Sequence, residues 1–300
     1  MRAVLLEDGG AAARSPDFFR SAEFQAAEGV THSLVVEGRF AAALVVREIP
    51  GSGGLRDATS SYGYPGALTE GEPLDPAAVD WSATGLVSVF LRDAIGRPPC
   101  LQDGTVRSDV QLVDPSGRFE LRSTHARHVR RNERLGYTTA QESGPGPRAD
   151  FQRVYTETMK RTGASERYFF RDDYFERVLA SKRALLLVTR APDGRAAAAA
   201  IVVESDALLH YYLGGSAGEL LEHSPFKSTV AAMIELARER GLALNLGGGV
   251  RPGDALDHFK RGFANAAAPF RTYELVCDRQ AYDELSAGRP ESGFFPLYRS

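Results

Sequence analysis

The chain has 300 residues, a formal net charge of −3 and two cysteines. That length permits one large domain or two smaller ones. The charge supplies no general basic field, so a nucleic-acid partner needs a local patch, and Cys100 and Cys277 are too few for a disulfide framework or a cysteine metal site. The N-terminus turns acidic at Glu7-Asp8, unlike a signal peptide, and no apolar run approaches membrane-spanning length. A cytoplasmic protein without membrane insertion is the expectation.

In chain order, a helix is predicted near Pro16–Ala27, then a hairpin whose apolar runs, 33–37 and 41–47, flank Gly38-Arg39. Glycines and prolines punctuate residues 62–68, and a helix follows at 75–82. Residues 86–92 read as a buried strand and 105–113 as an alternating one, with Asp114-Pro115-Ser116-Gly117 as a turn. A helix from about Phe119 to Leu135 ends at Gly136 and carries His125, Arg127, His128, Arg130, Arg131 and Arg134. Gly144-Pro145-Gly146-Pro147 precedes helices at 149–161 and 172–181. Strands at 184–189, 196–203 and 207–213 are joined by the turns Asp193-Gly194 and Ser205-Asp206. In the helix 228–240, Val230, Met233, Ile234 and Ala237 fall on one face. A last strand covers 271–277.

The stretch from Asn245 to Phe263 carries the most chemical information. Leu242, Leu244 and Leu246 alternate as in a short strand. Gly247, Gly248 and Gly249 permit positive φ and let a ligand or a second backbone come close. Asp254 can cap a helical turn, 255–261, that presents Phe259 and Lys260. Lysine is scarce: Lys160, Lys182, Lys227 and Lys260 are all there are. A retained lysine among so many arginines suggests a compact ammonium put to use; the alternative is a solvated surface cation. Asp254 and Asp257 can form a carboxylate site near Lys260, although capping alone accounts for Asp254.

Strand, Leu246-Gly247-Gly248-Gly249, polar loop and Leu256-x-x-Phe259-Lys260-x-x-Phe263 together resemble the last segment of the FemABX peptidyltransferases and their stand-alone GNAT-like relatives. Tyr62-Gly63-Tyr64-Pro65-Gly66 resembles that family's N-terminal-domain loop. The run from His128 to Gly136 resembles its basic interdomain helix, and Phe151 to Tyr174 its following helix pair. The ordered set, over roughly 55–275, is more specific than any one motif.

The resemblance implies an α+β fold of two GNAT-like domains with mixed sheets flanked by helices. The first domain would be 1–135, completed by 273–300, and the second 136–272. The implied activity is that of an aminoacyltransferase. It takes an amino acid from aminoacyl-tRNA and forms a peptide bond on the amine of a peptide, nucleoside-peptide or carrier-bound acceptor, with no cofactor and no metal. Lys260 would be the catalytic cation. Phe259, Arg161, Tyr168, Tyr62, Tyr64, Gly248 and Gly249 would contact substrate, and Arg127, Arg130, Arg131, Arg134 and Lys227 would contact tRNA. The chain lacks the coiled-coil insertion of some cell-wall members and has no lysine in its first half. Those departures favour a secondary-metabolite role, like the small alanyl-tRNA-dependent transferases of peptidyl-nucleoside antibiotic pathways.

Each candidate has a plainer alternative. Arg161 can clamp a phosphate or pair with a glutamate. Tyr168 can bond substrate or fill a core. The basic helix can be a solvated face. Two other function classes stay open: an N-acyltransferase using acyl-CoA or another activated donor, and a non-catalytic GNAT-like binding protein. The coenzyme A fingerprint Arg/Gln-x-x-Gly-x-Gly/Ala occurs twice. Arg238-Glu239-Arg240-Gly241-Leu242-Ala243 lies at a helix C-terminus, which repels anions. Gln141-Glu142-Ser143-Gly144-Pro145-Gly146 is followed by Pro147, and its prolines remove amide donors.

Overall fold

A computed structural model describes residues 1–8, 17–118, 120–249, 251 and 253–300, with the side chain of Asp172 outside the description. Pro16 and Phe119, where two predicted helices begin, and Val250 and Pro252 of the central stretch lie outside the described residues. The strands are β1 (Ala3–Leu6), β2 (His32–Val36), β3 (Phe40–Glu48), β4 (Arg56–Thr59), β5 (Leu68–Thr69), β6 (Ser88–Arg92), β7 (Thr105–Val113), β8 (Thr138–Glu142), β9 (Ala184–Arg190), β10 (Ala196–Glu204), β11 (Leu208–Ser216), β12 (Ala243–Gly247) and β13 (Ala266–Val276). The helices are α1 (Ala22–Glu28), α2 (Ser123–Arg134), α3 (Pro145–Arg161), α4 (Asp172–Ala180), α5 (Phe226–Arg240), α6 (Ala255–Arg261) and α7 (Arg279–Ser286).

The chain divides into two compact units, Met1–Arg107 with Pro269–Ser300, and Ser108–Ala268. In the first unit the strand order is β1-β2-β3-β4-β6-β13, with β5 beside β3. Its pairs are antiparallel except β4–β6. Its core gathers Phe40, Leu44, Val89, Leu91, Leu101 and Tyr273. The 75–82 segment is not an α-helix. Asp75 caps a single 3-10 turn, Pro76–Ala78, and a second such turn, Ser82–Thr84, ends at Gly85 in the left-handed region. None of residues 76–78 is buried, so no apolar face holds a longer helix in place.

In the second unit the order is β7-β12-β11-β10-β9-β8. β11 and β12 run parallel and the remaining neighbours are antiparallel. Residues Ala196 to Val203 of β10 are all at most 1% exposed, and β10 packs against both α3 and α5. A continuous apolar run is what a strand covered on both faces needs, and alanine lets both helices approach. α5 supplies the predicted face of Val230, Met233, Ile234 and Ala237 to a core with Leu209, Leu244 and Phe263.

The compact units part at 107/108, whereas the sequence expectation was a boundary near 136. β7 joins the second unit because its Gln111–Val113 end pairs with β12, so α2 and β8 also lie inside that unit. β8 has no counterpart among the predicted elements: Thr-Thr-Ala-Gln-Glu is a polar edge strand without apolar alternation.

Candidate active site

The site begins where two parallel strands part. β12 pairs with β11 only over Leu208–His210, opposite Ala243–Asn245. β11 runs on to Ser216 along β10, with a bulge opposite Ile201/Val202. Beyond His210, β11 therefore has no strand partner on its β12 side among the described residues. β12 turns away at Gly247, whose φ is 75°.

α6 returns the chain to this opening. Asp254 caps it by accepting the Asp257 N–H at 2.8 Å, and the helix spans the expected 255–261. Lys260, in its last turn, is 7% exposed. Its Nζ donates to the Gly248 carbonyl at 2.7 Å and lies 5.5 Å from the centre of the Tyr211 ring. Among the described residues no carboxylate is within ion-pairing distance of it. Burial pulls its pKa from 10.5 down to about 8, against the weaker opposing fields of Asp254 and Asp257. Those carboxylates are engaged elsewhere. Asp257 accepts from Gln111 Nε2 at 3.0 Å and Arg261 Nε at 2.8 Å, and Asp254 accepts the Arg251 N–H. A buried cation without a counter-ion is costly. With one N–H committed to a carbonyl, this ammonium can still donate to a developing oxyanion. It is not the solvated surface cation of the plainer reading.

α2 braces α6. His125 is buried, its Nε2 donates to the Phe259 carbonyl at 3.2 Å, and its ring lies 4.4 Å from that of Phe263. Burial lowers its pKa, and its Nδ1 has no partner among the described residues. Gly262 lets α2 and α6 approach, because a Cβ there would stand 2.3 Å from His125 Nε2.

On the outer side of α2, Arg127, Arg130, Arg131 and Arg134 are exposed and fall on one helical face. None has a carboxylate partner among the described residues. Lys227, at the start of α5, joins them: its Nζ donates to His128 Nδ1 at 2.6 Å. Burial, then neighbouring cations, lowers the pKa of both Lys227 and His128.

Residues 120–261 match the model of the acetyltransferase (GNAT) domain, a span running from just before α2 to the last residue of α6. No curated protein matches the sequence. Among solved structures, the chain is similar to FemX, at 14% identity over 92% of this chain and 96% of that one, with a TM-score of 0.58. It is similar to the C-terminal domain of a putative lysylphosphatidylglycerol synthetase from Agrobacterium fabrum, at 15% identity over 90% of both chains and a TM-score of 0.57. The L-PGS of Bacillus licheniformis follows at 14%, 81% and 82% coverage and 0.55.

The chain has the fold of FemX. It is an α+β, GNAT-like fold of mixed sheets and flanking helices, as the sequence implied.

Within this FemX-like fold the remaining predicted residues take varied positions. Gly248 and Gly249 do allow a close approach, but the chain itself makes it. A Cβ on Gly248 would meet the Asp109 carbonyl at 2.9 Å, and one on Gly249 the Asp254 carboxylate at 2.4 Å. The glycine floor is thus packed by the chain itself, and the Gly248 carbonyl accepts from Lys260. Phe259 is half-buried against Phe226, Phe263 and His125, a wall of the core rather than a free platform. Arg161 is exposed at the far end of β11, where Nη1 reaches the Ser216 carbonyl at 3.3 Å and Nη2 reaches Thr158 Oγ1 at 3.1 Å. Tyr168 is half-buried; its carbonyl accepts from Tyr155 and its hydroxyl from Arg167. Tyr62 and Tyr64 belong to the first unit. The Tyr62 N–H donates to the Glu28 carboxylate at 2.7 Å, and Tyr64 packs edge-on against Phe19 and Phe270.

The fingerprint at Arg238–Ala243 lies at the C-terminal end of α5, closed by Gly241 in the left-handed region, and Pro145 is the first residue of α3. Among the described residues no group of His, Cys, Asp and Glu is placed to hold a metal, and no helix is long and apolar enough to cross a membrane. In the sequence His125 figures only in a basic helix and Asn245 only at the start of the glycine stretch, and Tyr211 and His210 have no site role; the structure puts Tyr211 beside Lys260, His125 on the Phe259 carbonyl, and Asn245 between His210 and Gly247. The available signal was Asn245 at the end of an alternating apolar strand, where a buried polar side chain is unexpected.

Proposed function

We propose that this protein is an aminoacyltransferase that moves an amino acid from aminoacyl-tRNA to the amine of a peptide, nucleoside-peptide or carrier-bound acceptor, in secondary metabolism. The observation that carries the proposal is the buried ammonium of Lys260, without a counter-ion, held at the parting of β11 and β12. The sequence resemblance to FemABX enzymes implies the tRNA-bound donor, and the unpaired basic face of α2 with Lys227 suits its phosphates. A neighbour in fold is named for making lysylphosphatidylglycerol, an aminoacylated product, which is consistent with aminoacyl transfer.

The acceptor amine attacks the ester carbonyl of the donor, and negative charge gathers on the carbonyl oxygen as the tetrahedral intermediate forms. Lys260 donates to that oxygen or to the departing tRNA hydroxyl. A donor already fixed by Gly248 needs no reorganisation when the charge appears. With a pKa of about 8 it is mostly protonated at neutral pH. Among the described residues no side chain at Lys260 is placed as general base, so the acceptor proton leaves through substrate groups or water.

A second reading has its own support in the acetyltransferase model matched by 120–261: N-acyl transfer from acyl-CoA. Incubation with a pool of charged tRNAs and candidate amines tests the first reading by showing which amino acid is discharged. Calorimetric titration with coenzyme A tests the second. Discharge of no amino acid, together with coenzyme A binding, replaces the first by the second.

A further inference from the structure

Behind Lys260 lies a chain of buried polar groups that the proposed reaction does not touch. Ser205, His210 and Asn245 are 8%, 1% and 0% exposed. The Asn245 Nδ2 lies 3.1 Å from His210 Nδ1, and His210 Nε2 lies 2.9 Å from Ser205 Oγ. Asn245 Oδ1 accepts the Gly247 N–H at 2.7 Å. We infer that Asn245 and His210 are positioning residues, which fix the backbone at Gly247–Gly248 so that Gly248 presents its carbonyl to Lys260.

The direction of every bond in this relay is determined. The Gly247 N–H can only donate, so the Asn245 atom it meets is Oδ1 and Nδ2 faces His210 Nδ1, which places the His210 proton on Nε2, donating to Ser205 Oγ. His210 Nδ1 is then a lone pair, and the Asn245 amide nitrogen donates to it. A flipped amide has nearly the same shape, but it would set N–H against N–H at Gly247 and its oxygen against the Nδ1 lone pair at His210. Gly247 and His210 thus together select one of two otherwise similar orientations.

Selection matters because β12 leaves the regular ladder here. The register shifts between Asn245 and Gly247, and a buried N–H at the turn needs an acceptor. Asn245 supplies it from two residues back, and the carbonyl of the following residue, Gly248, is the one that holds the ammonium. Apolar side chains would fill the same space without the desolvation cost, whereas a satisfied polar network specifies one geometry. Burial also pushes the His210 pKa down to about 3, so the imidazole keeps its lone pair across the neutral range.

The inference rests on reading Lys260 as the functional cation, but its test needs neither donor nor acceptor. The titration midpoint of Lys260 is read on the full chain by pH-dependent amine acylation and mass spectrometry, with exposed Lys160 and Lys182 as internal references. The parent should titrate at about 8. Asn245→Leu and His210→Phe should each raise the midpoint by about one pH unit or more, as the released ammonium reaches solvent. The double variant should move it no further than the larger single change, because the two act in series. An unmoved midpoint in both folded variants overturns the inference. If either variant fails to fold, nitrogen-15 imidazole spectra of the parent decide. The Nε2–H tautomer, neutral at pH 6, is expected, and the Nδ1–H tautomer or an imidazolium overturns the relay. An inactive relay with a functional Lys260, or the reverse, is distinguishable, since activity of Lys260→Met is measured separately.

Discussion

Lys260→Met removes the charge and keeps the length and apolar stem of the side chain. The fall in pKa from 10.5 to about 8 means that the site disfavours the ammonium by about 3 kcal/mol. The group is almost wholly buried, so little of that is screened by solvent. Methionine relieves the penalty but leaves the Gly248 carbonyl without its donor, which costs about 1–3 kcal/mol. The two nearly cancel, so the variant should melt at or slightly above the parent. The pH dependence has a definite sign. Between pH 8 and 10.5 the unfolded chain binds the Lys260 proton that the folded chain has lost, so parent stability gains with rising pH in that window. Any advantage of the methionine variant is therefore full below about pH 8 and fades toward 10.5. Transfer should fall by about 10²–10³, the cost of one preorganised oxyanion donor. Lys260→Arg should restore little, since a planar fork does not replace a compact charge in a tight site. The assay is single-turnover transfer with saturating charged tRNA, beside a thermal melt of each variant. A methionine variant that melts like the parent and transfers at the parent rate refutes the reasoning.

Transfer by the parent should decline as pH rises through about 8, where Lys260 loses its proton; a rate that climbs through that pH would instead make its free amine a base. Replacing Arg127, Arg130, Arg131 and Arg134 with alanine should weaken binding of charged tRNA and flatten its salt dependence by roughly one unit of slope per lost phosphate contact; an unchanged slope in filter binding moves the tRNA surface elsewhere. Gly262→Ala should lower stability by about 1–3 kcal/mol in denaturant titration, because its backbone is helical and only the His125 ring obstructs the methyl; an unaltered midpoint would show that α2 and α6 are not locked there.

What the sequence determined by itself was local. The alternation of 105–113, the Asp254 cap and the seven-residue α6, and the apolar face of α5 all depend on residues within a turn or a strand of one another. The ordered motifs likewise pointed to the fold. Tertiary structure decided what depends on distant partners. β7 pairs with β12, more than a hundred residues on, and no local pattern in 105–113 names that partner. The three glycines read as an open floor until Asp109 and Asp254 are seen against them. Lys260 is a surface lysine or a buried cation according to whether Tyr211 and Gly248 come to cover it. His210 and Asn245, separated by 35 residues, become one relay only when β11 and β12 lie side by side. Burial and hydrogen-bond direction are properties of such juxtapositions, and no single segment encodes them.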